Sequence, residues 1–137
     1  MIKIYCGPKG TGKTKIILEQ IDKAVDAAKG DIVFITDRKN ESIRVINFNV
    51  RVLYTDDFDV NCATGFGGFV KGLMAGNSDI EYLFIDGLAR IIGEDDKDIA
   101  DFIEILEDLE KEYGFKVTLT VSKLKEQFKE EHRAYIE

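Results

Sequence analysis

The sequence predicts a three-layer α/β fold, a mostly parallel five-stranded sheet flanked by helices, in one domain spanning residues 1–137. Two observations predict it. Five short apolar, β-branched or aromatic runs recur along the chain, most of them separated by segments long enough for a helix. The first run meets a glycine-rich loop that opens directly into a helical pattern, the order strand, loop, helix. A chain of 137 residues buries a real core yet is too short for two domains.

Residues 2 to 6 alternate or run apolar, end at Gly7 and predict the first strand. From Lys13 to Lys29, apolar residues at Ile17, Ile21, Ala24 or Val25, and Ala28 keep helical spacing, and Gly30 suits a C-terminal cap. Ile32 to Ile35 and Val50 to Tyr54 predict the second and third strands, each ending in polar residues, with a short helix or irregular crossover over 41 to 48. Residues 59 to 76 predict a helix loosened by Gly65, Gly67, Gly68, Gly72 and Gly76, each weakening a helix interior by up to about 1 kcal/mol relative to alanine. Tyr82 to Asp86, a continuous apolar run closed by an acid, has the pattern of a central parallel strand covered on both faces. Ile99, Phe102, Ile103, Leu106 and Leu109 mark one helical face, with Asp95 or Asp96 as cap and Gly114 closing it. Phe115 to Val121 is the fifth strand, and Lys123 to Tyr135 predicts a final amphipathic helix.

Composition narrows the function. The net charge of −7 is concentrated, because residues 94 to 112 hold ten acidic and two basic residues and the remainder is near neutral. No basic stripe remains for a nucleic-acid footprint, and the acidic stretch reads as a solvated helix face rather than a docking surface for a basic partner. Cys6 and Cys62 lack the spacing of a metal site and, with His132 the single histidine, read as reduced structural thiols. No charged leader or signal-length apolar segment opens the chain, and no stretch approaches the roughly 20 apolar residues of a membrane span, so the expected location is cytoplasmic.

Gly7-Pro8-Lys9-Gly10-Thr11-Gly12-Lys13-Thr14 matches the GxxxxGK[ST] phosphate-binding pattern, with the required strand before it and helix after it. Glycines at 7, 10 and 12 let backbone N–H groups approach phosphate oxygens, while the following helix aims its positive end at the same point. Residues 7 to 14, with Lys15 beside them, form the expected nucleotide-binding set; Pro8 shapes the loop without donating. Lys13 should reach the terminal phosphates, and Thr14 should bind the magnesium that bridges them. Asp86, delivered to a strand end by four apolar residues, is the natural second magnesium ligand, an acid of the Walker B type. Gly87 follows it, so the Asp-Glu pair of many ATPases is missing.

On these motifs the chain resembles the RecA-like branch of P-loop ATPases, reduced to its core domain, with Walker A at the first strand and Tyr82-Leu83-Phe84-Ile85-Asp86-Gly87-Leu88-Ala89-Arg90 around Walker B. The resemblance implies the P-loop NTPase fold, ATP and Mg2+ as ligands, and a water-activating acid just after the second strand, a place offered here by Asp37 or Glu41. It also implies a residue sensing the γ-phosphate at the polar end of the fifth strand, Thr120 or Ser122, of which Ser122 is assigned that role. Where an arginine is supplied in trans by another copy or a partner, Arg90 is a candidate, weighed against an ordinary surface position.

The function expected is an ATP-binding protein, a slow Mg-dependent ATPase acting as a nucleotide-state switch or a partner-dependent motor or regulator. A protein partner and an oligomer are both compatible with it. One alternative is a small-molecule or nucleoside kinase, with Arg38 clamping an acceptor and Asp37 taking its proton. Another is a nucleotide-binding regulatory module that does not hydrolyse. The base-reading NKxD pattern of GTPases is replaced by Ser122-Lys123-Leu124-Lys125, and Asp86 lacks the glycine three positions on.

Overall fold

The computed structural model describes residues 1–40 and 49–137. Five strands, β1 (Ile2–Cys6), β2 (Asp31–Thr36), β3 (Val50–Tyr54), β4 (Ile80–Ile85) and β5 (Lys116–Val121), form one sheet in the order β1-β5-β4-β2-β3. Every pairing is parallel. The chain crosses the sheet in one direction from β1 to β2 and in the other from β3 through β4 to β5. Helices returning from opposite directions pack on opposite faces when crossovers share one hand.

The core shows this division. Helix α1 (Lys13–Ala27) buries Ile17, Ile21 and Ala24 against Ile32, Phe34, Val50 and Phe84 on one face. Helices α2 (Ala63–Gly76), α3 (Leu88–Ile92) and α4 (Asp96–Tyr113) cover the other face, where Val33, Ile35, Leu83, Ile85, Val117 and Leu119 lie. The Phe66 ring of α2 stacks on Phe102 of α4, centroids 4.7 Å apart. The predicted three-layer arrangement is the one observed, with the sheet parallel throughout.

Caps follow local chemistry in part. Asp95 accepts from the Asp98 N–H at the start of α4, and Gly114 closes that helix at φ 72°, as expected. Gly30, expected to cap α1, does something else. The α1 C-cap is Ala28 in extended backbone, and Gly30 passes so close to β4 that a Cβ there would overlap the Asp79 carbonyl oxygen. Glu81 of β4 accepts the N–H groups of both Lys29 and Gly30, bonds that hold its carboxyl below the usual range.

Two further expectations are corrected. Helix α2 starts at Ala63 rather than 59, because Thr55–Phe58 forms a 3-10 turn ended by Asp59 at φ 55°. The amphipathic helix expected over 123 to 135 is two 3-10 turns, Lys125–Gln127 and Glu130–Tyr135, followed by a parallel bridge between Ile136 and Ile4. This segment lies on the acidic face of α4: Lys123 pairs with Asp96 at 2.9 Å, Lys129 with Glu104 at 2.7 Å, and Tyr135 donates to Glu107 at 2.5 Å. Phe128 and His132 are buried beneath it. The face expected to be only solvated thus docks the chain's own tail. The crossover expected over 41 to 48, and Glu41 with it, lies outside the described residues.

Candidate functional site

Because all strands are parallel, their C-terminal ends lie along one sheet edge, where ligands of open α/β folds bind. With β5 between β1 and β4, the edge carries in order the glycine loop after Cys6, then Thr120 to Ser122, then Asp86, then Thr36 and Asp37.

The loop needs its glycines. Gly7, Gly10 and Gly12 have φ of 139°, 80° and 82°, a region that side chains with a Cβ rarely occupy, and Gly12 is the N-cap of α1. The Lys13 ammonium lies back over the loop, donating to the carbonyl oxygens of Gly7 at 3.0 Å and Pro8 at 2.6 Å. Thr11 donates to the same Pro8 oxygen at 2.8 Å. Burial lowers the Lys13 pKa from its ordinary value, with the Asp86 carboxylate opposing that shift.

Asp86 is 1% exposed and is surrounded by donors. The Thr14 hydroxyl stands 3.1 and 3.3 Å from its two oxygens. Thr120 donates to Oδ1 at 2.6 Å and accepts the Gly87 N–H at 2.8 Å. Arg90 reaches Oδ2 with Nη2 at 3.4 Å and, with Nε, reaches Asp37 Oδ1 at 3.4 Å. An ionised carboxylate is tolerated in a buried place when it is matched by this many hydrogen bonds and cations.

A cavity of 340 Å³ opens on this cluster, lined by Lys9, Gly10, Gly12, Lys13, Thr14, Asp86, Arg90, Thr120 and Ser122. The structure therefore brings together the loop, Thr14, Asp86 and the end of β5, which lie far apart in sequence. Lys15 is exposed on α1 and Arg38 is exposed after β2, and neither lines the cavity. Asp37 does not line it either, and its carboxylate meets the cavity-lining Arg90. Its carbonyl oxygen accepts the Asp56 N–H at 2.9 Å, tying the end of β2 to the turn after β3.

Two relationships escaped sequence reasoning. The contact with Asp86 is made by Thr120, while Ser122 contributes to the cavity wall. A signal existed: Thr118 and Thr120 interrupt an otherwise apolar inner strand at period two, and a buried hydroxyl needs a partner. Thr36, 1% exposed, donates to Asp37 and approaches the Asp86 carbonyl oxygen. The second missed relationship is Arg90 reaching into its own chain's cavity, for which only the four-residue offset from Asp86 gave a hint.

No protein-family model and no curated protein matches the chain. Among the described residues, no helix is long and apolar enough to cross a membrane.

Proposed function

We propose that this chain binds a nucleoside triphosphate, ATP, together with magnesium, and acts as a slow Mg-dependent ATPase whose nucleotide state switches a surface read by a partner. The observation that carries this reading is the Thr14–Asp86 pair, 3.1 Å apart, standing beside Lys13 and a loop with three glycines at positive φ. A hydroxyl and a carboxylate are the hard oxygen donors that magnesium prefers, and both line the same cavity as Lys13, Gly10 and Gly12 of the loop. Thr14 and Asp86 would hold the metal, which supplies neutralisation of phosphate charge when bound.

The chain's own residues account for the remaining tasks. Lys13 exchanges its bonds to the Gly7 and Pro8 carbonyls for phosphate oxygens, gaining an anionic acceptor for a neutral one. The N–H groups of the loop and the first turn of α1 present positive potential to the same oxygens. Thr120 fixes the orientation of the Asp86 carboxylate, and Ser122 lies in the wall where the terminal phosphate would be sensed. Asp37 is the proposed base for the attacking water once its ion pair with Arg90 opens.

A second reading, binding without hydrolysis, has one specific observation in its favour: among the described residues lining the cavity, Asp86 is the sole carboxylate. Single-turnover hydrolysis of radiolabelled ATP, with wild type against Asp37→Asn, separates the two. The binding claim is tested by thermal shift with ATP, GTP and their magnesium complexes. A ligand at 100 times its Kd adds about 2.7 kcal/mol of stability. No shift in wild type, or the same shift in Lys13→Ala, overturns the proposal.

A further inference from the structure

Arg90 is placed between two carboxylates that a nucleotide-bound site would use differently. Its backbone is fixed, because α3 is a five-residue helix between Gly87 at φ 79° and Gly93 at φ 96°, with Leu88, Ile91 and Ile92 buried in the core. Its side chain is not. It is 42% exposed and holds Asp86 and Asp37 by single contacts of 3.4 Å each, long for charge-assisted hydrogen bonds. The guanidinium lies against Gly87, where a Cβ would overlap it, so that glycine makes room for the Arg90 side chain.

Charge decides what happens to it when ligands arrive. Around the cavity, Arg90 and Lys13 stand beside Asp86 and Asp37, with Lys9 a further cation in the wall. A dication on Asp86 sets like charges side by side and removes the reason for Arg90 to stay, while a triphosphate brings several negative charges into the cavity that Arg90 already lines. The guanidinium's planar fork matches phosphate oxygens better than it matches one carboxylate oxygen at 3.4 Å. We propose that Arg90 is an intrachain counterion that magnesium displaces from Asp86, and that on release it binds the terminal phosphate of the nucleotide and frees Asp37. This rests on the nucleotide reading above, and it assigns Arg90 to its own chain's site rather than to a neighbour's. Release of Asp37 at the end of β2 would reach the Thr55–Phe58 turn through the Asp56–Asp37 backbone bond.

The test uses the full chain with Arg90→Gln and Arg90→Lys, and two readouts independent of turnover. First, Mn2+ is titrated into nucleotide-free protein and free Mn2+ is followed by its paramagnetic resonance signal. Arg90→Gln should bind the metal about fivefold more tightly than wild type, a competing surface ion pair having been removed, and Asp86→Asn should lose that binding. Second, Kd is measured for ATP and ADP with magnesium. Arg90→Gln should reduce the preference for ATP over ADP by about tenfold or more, the strength of one charge-assisted bond to phosphate, with ADP affinity not weakened and Arg90→Lys intermediate. Retained ADP binding also shows that the variant is folded. An unaltered ATP/ADP ratio, or Mn2+ binding that is equal or weaker in Arg90→Gln, overturns the inference while leaving the nucleotide reading intact. Wild type that binds neither nucleotide overturns that reading itself, and this inference with it.

Discussion

The Thr120 hydroxyl donates to Asp86 Oδ1 at 2.6 Å and accepts the Gly87 N–H at 2.8 Å, so one buried side chain holds both the carboxylate and the turn that follows it. Thr120→Val keeps the shape and removes both bonds. Leaving a buried carboxylate and an N–H short of partners should lower unfolding free energy by about 1–3 kcal/mol, measured by urea denaturation. Thr120→Ser should recover most of that loss; if valine and serine behave alike, the hydroxyl is not what stabilises the site.

Thr14 and Asp86 meet across 72 positions of sequence, and their joint role is tested by the metal rather than by the nucleotide. In Thr14→Val and Asp86→Asn, the gain in ATP affinity on adding magnesium should shrink by about tenfold or more, as for loss of a partner in a metal site. ATP binding in the presence of chelator should change much less. Calorimetric titration with and without magnesium gives both numbers, and an intact magnesium gain in both variants would remove the pair from the metal site.

The glycines of this chain separate by sign. Gly68 and Gly72 lie inside α2 with open space where a Cβ would project, so alanine at either should raise stability by about 0.5–1 kcal/mol through helix propensity. Gly30→Ala should cost about 1–3 kcal/mol, since its Cβ would meet the Asp79 carbonyl oxygen, which backbone pairing cannot easily move. Chemical denaturation of the three single variants checks the order.

Tyr135 donates to Glu107 at 2.5 Å, and that bond, with burial second, pushes its pKa up to about 12. The folded value lies above the ordinary value of 10.0, so folding favours the neutral phenol. The stabilisation is complete below pH 10 and is lost as pH rises from 10 towards 12. Ultraviolet titration of the folded protein should show a late tyrosine ionisation that is missing in Tyr135→Phe, and the variant's stability should fall less steeply than wild type across that window.

The local chemistry of the chain was legible where short-range physics decides. Five strands, the start and end of α4 and the conformations of Gly7, Gly10 and Gly12 follow from hydrophobic period, an Asp cap and a glycine loop, all of which act within a few residues. Other features depend on what comes alongside. Gly30 reads as a helix cap until β4 is seen pressing against it, and the last segment reads as an amphipathic helix until its Lys123, Lys129 and Tyr135 find acids of α4.

The same division runs through the candidate site. The amino-acid sequence alone picked out residues that meet at one cavity, a glycine loop with Lys13 and Thr14, and an acid closing an apolar strand, because those signals are contiguous. Only the tertiary structure decided their company. Inserting β5 between β1 and β4 sets Thr120 rather than Ser122 against Asp86, and the short α3 turns Arg90 back onto Asp86 and Asp37. Strand order and the direction of a helix are set by how the whole apolar surface is best covered, a property no local stretch of sequence contains.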